Sequence, residues 1–144
     1  MAVTVKKITL WRAEVDNQPG ALAKALAGPA AAGADLNVVM GYRHGTPGKA
    51  AIEVYPVAGK TLMKAARGGG LDASGIPTLL VEGDNRPGLG YAITQAVAGA
   101  GINLAFLVAQ VIGRKYSAVI GFENEADAKK GAAVIKKAAT AKKT

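Results

Sequence analysis

Glu82-Gly83-Asp84-Asn85-Arg86-Pro87-Gly88-Leu89 lies between an apolar, strand-like run and an apolar-periodic, helix-like run. It has a twin, Glu14-Val15-Asp16-Asn17-Gln18-Pro19-Gly20, 68 positions earlier. Aligned without gaps at that offset, residues 8–36 and 76–104 agree at ten of twenty-nine positions, with Asp, Asn, Pro and Gly among the matches. One unit is therefore written twice, and the chain is read as a pair of modules. In each copy the Pro suits the first helical position, where a missing N–H costs nothing. The Gly after it leaves the helix N-terminus uncovered by a side chain. Each block thus reads as a port for a small anion.

Working outward, residues 8–15 alternate loosely and contain β-formers, as befits a strand with one buried face. From Pro19 the chain turns to helix formers, with Leu22, Ala25, Leu26 and Pro29 at helical spacing and Gly33 as a C-terminal stop. Pro29 is expected to kink or break this helix. Residues 36–42 and 49–55 read as a hairpin, and residues 103–112 and 116–122 as its counterpart around a shorter turn. Residues 58–67 and 125–139 read as second helices, the latter with Ala128, Ala132, Val134 and Ile135 as its buried face. Each copy is then strand, helix, strand, strand, helix. The expected fold is α+β: two ferredoxin-like βαββα modules, with mixed or antiparallel sheets, helices on one face, and the modules paired side by side. The boundary is placed at 70/71, giving modules 1–70 and 71–144, with a basic, frayed tail from about 138. A complete sandwich needs a fourth strand in each module, and none follows either second helix. The outer sides of residues 8–15 and 76–83 are therefore left bare. A homodimer or higher oligomer is expected in consequence, unless residues 2–7 or 68–75 supply the strand.

Composition removes several classes of function. At 144 residues, half of them apolar and 19% charged, the chain is globular, and no apolar run approaches the ~18 residues of a membrane span. Without cysteine there is no disulfide, thiolate catalysis or cysteine-bound zinc. Together with an N-terminal stretch that lacks a secretory pattern, this sets the expectation of a cytoplasmic protein. The net charge of +8 is shared evenly, since residues 1–75 and 76–144 each carry nine basic and five acidic side chains. Such lysines read as a solvated face rather than a nucleic-acid stripe, and the hairpins lack the aromatic platform used to stack bases. Enzyme chemistry has equally little support. His44 is the one histidine, without a second ligand or base beside it. Gly88-Leu89-Gly90 fails as a dinucleotide fingerprint at Ile93, and Gly59-Lys60-Thr61 lacks the upstream glycine of a phosphate loop at Val54. No catalytic residue, metal site or cofactor is expected.

For the Asp-Asn-x-Pro-Gly block two meanings stand. Asp and Asn are favoured as helix caps. They also suit a free amino acid, whose carboxylate needs donors such as helix-start N–H groups and whose ammonium needs acceptors such as Asp16 or Asp84. The amides of Asn17 and Asn85 can serve both.

Strand, Asp-Asn-x-Pro-Gly, helix, Gly-(Ile/Ala)-(Asn/Asp)-Leu, strand resembles the ACT domain, a small-molecule regulatory module of amino-acid metabolism. The resemblance covers almost the whole chain twice, most specifically in Asp84-Asn85-Arg86-Pro87-Gly88 followed by Gly101-Ile102-Asn103-Leu104. It implies ligand contacts at Asn17, Asn85, Asn103 and Asp35, the last standing where the second copy has Asn103. The candidate ligand-binding set is therefore Asp16, Asn17, Gln18, Pro19, Gly20, Ala21 and Asp35, with Asp84, Asn85, Arg86, Pro87, Gly88, Leu89 and Asn103. A histidine two residues before the first Asn, used by some serine-binding members, is replaced here by Val15 and Gly83. A non-enzymatic amino-acid sensor acting in trans, on an enzyme partner not identified by the sequence, is the leading expectation. The alternative is a degenerate ACT pair serving as an assembly or docking module. Within one module the port and the start of the second strand should lie at opposite ends of the sheet. The expected sites are therefore crossed, Asn17 with Asn103 and Asn85 with Asp35.

Overall fold

Each sheet is completed by a strand from outside the repeated block. The computed structural model describes residues 3–140. In chain order these form β1 (Val3–Ile8), β2 (Trp11–Asp16), α1 (Ala21–Ala31), β3 (Val38–Arg43), β4 (Lys49–Tyr55) and α2 (Lys60–Gly68). There follow β5 (Asp72–Ala73), β6 (Thr78–Asp84), α3 (Leu89–Gly99), β7 (Leu104–Ile112), β8 (Lys115–Phe122) and α4 (Glu125–Thr140). The chain divides into two units, residues 9–75 and residues 3–8 with 76–140.

The unit of residues 9–75 has the sheet order β3-β4-β2-β5, and the other has β7-β8-β6-β1, with every neighbouring pair antiparallel. Counted from each module's own first strand, both orders run second, third, first, fourth, which is the ferredoxin-like arrangement. In the second unit Leu89, Ile93 and Val97 of α3 recur every fourth residue and bury one helical stripe. They join Leu79, Val81, Ile120 and Phe122 of the sheet and Ala128 and Ile135 of α4 in one core. The first unit's core is smaller and richer in alanine: Trp11, Ala13, Ile52 and Val54 from the sheet, Ala25 and Ala66 from the helices, and Leu71. In both, the helices cover one face of the sheet.

Three expectations are corrected. The boundary does not fall at 70/71: Val3–Ile8 pairs with β6, from Val3 opposite Gly83 to Ile8 opposite Thr78, and so belongs with residues 76–140. Val3, 4% exposed, and Val5 enter that module's core. Residues 71–75 stay with the first module, where β5 pairs with Trp11 and Arg12. The bare side of β6 is therefore closed, and the argument for an oligomer from that edge lapses, while Ala13–Asp16 of β2 remain uncovered. Pro29 does not break α1 at its own position, since the helix continues through it. It falls in the last turn, and the helix ends two residues later at Ala31. Fraying from 138 is also not seen, because α4 runs to Thr140; residues 141–144 lie outside the described residues.

Because β1 carries core residues for β6, Val3→Ala should destabilise the unit of residues 76–140 by about 1.5 kcal/mol through lost apolar burial. Hydrogen exchange should then speed up at the β6 amides and not at those of β2. Equal acceleration in both would contradict the assignment of β1.

Candidate functional site

Both modules leave their first strand through the same turn. Ala21 N–H donates to the Gln18 carbonyl at 3.2 Å, and Leu89 N–H to the Arg86 carbonyl at 3.2 Å, so Pro and Gly are the two central residues of a four-residue turn. Gly20 has φ +86°, ψ −7° and Gly88 φ +82°, ψ +3°. These are the left-handed values that the third position of a type II turn requires, with Pro favoured just before it. A Cβ at either glycine would meet nothing within 4 Å, so conformation and not crowding reserves the position. Both glycines are N-caps, and Pro19 and Pro87 stand one residue before the cap instead of opening the helix.

The turn uses the amides of Ala21 and Leu89, which the sequence named as contacts; Leu89 is moreover a core side chain, 2% exposed. The next helical bonds are Lys24 N–H to Gly20 O and Ala92 N–H to Gly88 O, both 2.9 Å. Between them, among the described residues, the N–H groups of Leu22 and Ala23, and of Gly90 and Tyr91, have no backbone acceptor, and no side chain caps either helix. These four donors are the ones the sequence missed. They follow from the turn type, which the Pro-Gly pair signals.

Asp16 and Asp84 do not cap. Each faces a lysine on the neighbouring antiparallel strand, with Lys49 Nζ 2.6 Å from Asp16 Oδ1 and Lys115 Nζ 2.5 Å from Asp84 Oδ1. The hydrogen bond from the lysine, and then its charge, hold both carboxyls below their ordinary range. Asn17 and Asn85 prolong the ladder by one backbone bond each, to Gly48 O at 2.9 Å and Arg114 O at 2.8 Å. Their side chains are exposed and, among the described residues, without a partner. Gln18 is exposed, whereas Arg86 donates through Nη2 to Ala138 O at 3.1 Å, near the C-terminal end of α4. One of its nitrogens is thus engaged before any ligand arrives, where the helix dipole favours a cation.

Asp35 and Asn103 are placed elsewhere. Asp35 precedes β3, whose Val38 faces Tyr55, while Asp16 faces Lys49 at the other end of the seven-residue β4. Asn103 precedes β7, whose Leu104 faces Phe122, while Asp84 faces Lys115 at the other end of the eight-residue β8. At ~3.4 Å per residue the separations are on the order of 20–25 Å, beyond the reach of one amino acid within one module.

The surroundings of the ports differ. Beside the first lies a cleft of about 340 Å³ whose walls include Val15, Asn17, Gln18, Leu22, Ala50 and Ile52. On its other flank a cleft of about 700 Å³ runs between α1, the C-terminal end of α2 and the part of β2 that β5 does not cover. At the second port Tyr116 stands opposite Gly83, in register with the pairing of Ala50 and Val15. Tyr116 is 5% exposed, and its hydroxyl lies 3.7 Å from where a Cβ on Gly90 would be. Among the described residues that hydroxyl has no hydrogen-bond partner, and burial pushes its pKa up.

No family model and no curated protein matches the sequence. Solved structures do match. A Bacteroides thetaiotaomicron protein is similar at a TM-score of 0.70 and 12% identity, over 92% of this chain and 98% of that one. The ligand-free regulatory subunit of aspartate kinase from Thermus thermophilus is similar at a TM-score of 0.63 and 18% identity, over 96% and 97%. The corresponding subunit from Thermus flavus gives 0.59 and 18%, over 96% and 97%. At these identities the likeness is one of fold, and it embraces nearly the full length of each chain. No helix among the described residues is long and apolar enough to cross a membrane.

The ion pairs at the two strand ends can be tested by titration. A carboxyl depressed in the folded state contributes stability above its unfolded value and loses it as pH falls through the folded one. Lys115→Ala should therefore raise the Asp84 carboxyl titration toward the ordinary range in NMR, leave Asp16 in place, and cause a stability loss that fades under acid. An unmoved Asp84 would remove the lysine as the cause.

Proposed function

We propose that this chain, whose fold is that of a tandem ACT protein, is a regulatory protein without a reaction of its own that binds a free amino acid at its Pro-Gly ports. The observation that carries the proposal is the repetition, at the same place in both modules, of two helix-start N–H donors without an acceptor beside an asparagine amide without a partner. Such donors, aided by the helix dipole, suit a carboxylate. The asparagine can both donate and accept, and an Asp16 or Asp84 carboxylate nearby favours an ammonium. The cap alternative would have Asp or Asn occupying the N–H groups, and neither does. The fold shared with regulatory subunits of aspartate kinase supports regulation over catalysis.

The ligand's shell is completed, on this proposal, by a module of a second copy of the chain, with that copy's Asn103 serving Asn17 and its Asp35 serving Asn85. Two observations support this. Neither module can bring its own pair together. In addition, β3 and β7, which begin just after Asp35 and Asn103, are outer strands of their sheets. β7 also exposes Val108, Val111 and Ile112, a stretch that favours pairing and hence a homodimer or larger assembly. The regulated enzyme would act as a separate partner.

A thermal-shift screen against the common amino acids tests the function. A ligand at about a hundred times its Kd adds ~2.7 kcal/mol, which raises Tm by several degrees in a chain of this size. Asn17→Asp or Asn85→Asp, which sets a carboxylate against the ligand's own without altering the turn, should reduce that shift. No shift with any amino acid would leave the docking alternative.

A further inference from the structure

We propose that the cleft beside the first port is a side-chain pocket for an aliphatic amino acid of about leucine size, and that Ala50 in the first module against Tyr116 in the second makes the two ports unequal. This rests on the amino-acid-binding function proposed above.

The pairing of first with third strand aligns the modules: Asp16 faces Lys49 and Asp84 faces Lys115, so Ala50 and Tyr116, one residue further on, are equivalent. Three positions around the port change together. The first module has Val15, Leu22 and Ala50 where the second has Gly83, Gly90 and Tyr116. In the second, two glycines adjoin one buried ring, Gly83 opposite it on the neighbouring strand and Gly90 with its Cβ position 3.7 Å from the hydroxyl, and the ring belongs to the core cluster of that sheet. In the first, the ring is missing and its neighbours are larger. Val15, Leu22 and Ile52 wall a cleft with Ala50 beside them, and its mouth carries Asn17 and Gln18.

The size and chemistry of this cleft select the ligand class. About 340 Å³ is at the lower end of the ~300–1,000 Å³ typical of small-molecule sites, enough for one amino acid and too little for a nucleotide. Val15, Leu22, Ala50 and Ile52 give it apolar walls; Tyr42, whose hydroxyl already donates to Glu53 Oε2 at 2.7 Å, and Arg43 also line it, so an acidic side chain is the competitor that the test must separate from an aliphatic one. At the second port the ring of Tyr116 stands in the place of Ala50, and its hydroxyl, close to the first turn of α3, is itself buried. That port thus has a buried ring where the first has its cleft.

Calorimetry with glycine, alanine, valine, leucine, aspartate and glutamine on the full chain tests the pocket. Leucine or valine should bind the first port at least ten-fold more tightly than glycine, each buried methylene contributing about ten-fold or more. Ala50→Leu, which fills the cleft, should collapse the leucine-to-glycine ratio toward one while glycine binding persists. Ala50→Val, the milder filling, should fall between and serves if the larger variant fails to fold. Leucine and glycine binding equally to the unaltered chain, a preference for aspartate or glutamine, or a ratio unmoved by either folded variant would overturn the pocket while sparing the amino-acid function. Absence of binding by every amino acid would overturn both.

Discussion

Between the end of a strand and the start of a helix, each module has a single turn in which to reverse direction without covering the helix. An ordinary residue in the left-handed conformation costs roughly 1–2 kcal/mol, and a β-branched one fits it worst, whereas glycine adopts it freely. Proline just before it holds the preceding angle. The turn then satisfies the amide of Ala21 or Leu89 and leaves the next two amides bare. Lysine and aspartate pin the strand beneath it, and the asparagine backbone adds one bond to the ladder with its side chain left free. Port, donors and flanking amide are all consequences of how this turn is closed. Replacing Gly88 by valine would for that reason disturb the turn as much as cover the port.

The turn itself was legible because Asp, Asn, Pro and Gly recur together, but its register was not. Proline suits both the first residue of a helix and the second residue of a type II turn, and only the hydrogen bond from Leu89 or Ala21 separates the two. The fourth strands were hidden for different reasons. β5 is two residues long and has no periodicity to read. β1 alternates plainly enough, yet nothing local pairs with it, since its partner lies in the other copy of the repeat. The inequality of the ports escaped the ungapped comparison because the hairpin turns differ in length, so the offset of 68 that aligns the first strands no longer aligns the third. Ala50 and Tyr116 become equivalents only through the pairing of the strands.

The two modules share a plan and differ in filling. Residues 76–140 enclose Phe122, Tyr116, Ile93 and Ile135, while residues 9–75 rely on a tryptophan and several alanines around a sheet whose fourth strand is a stub. Fewer buried apolar groups mean smaller opening energies, and elements that must admit a ligand are drawn from that less stable end. The clefts next to the first port are the same economy seen from the surface. A module that packed its alanine positions with larger side chains would be firmer and would close the space beside Asn17.

The pairing of β1 with β6 has its own consequence for the order in which the protein can be made. Ile8 leaves the ribosome seventy positions ahead of its partner Thr78, and Val3 eighty ahead of Gly83. At ~5–20 residues per second, the first strand waits on the order of several seconds before its place in a sheet exists. Meanwhile residues 9–75 can fold, so an apolar strand is tethered to a finished module with nowhere yet to go. Lys6 and Lys7, set among Val3, Val5 and Ile8, give that waiting strand charge as well as hydrophobicity, which discourages it from pairing with a neighbouring nascent chain.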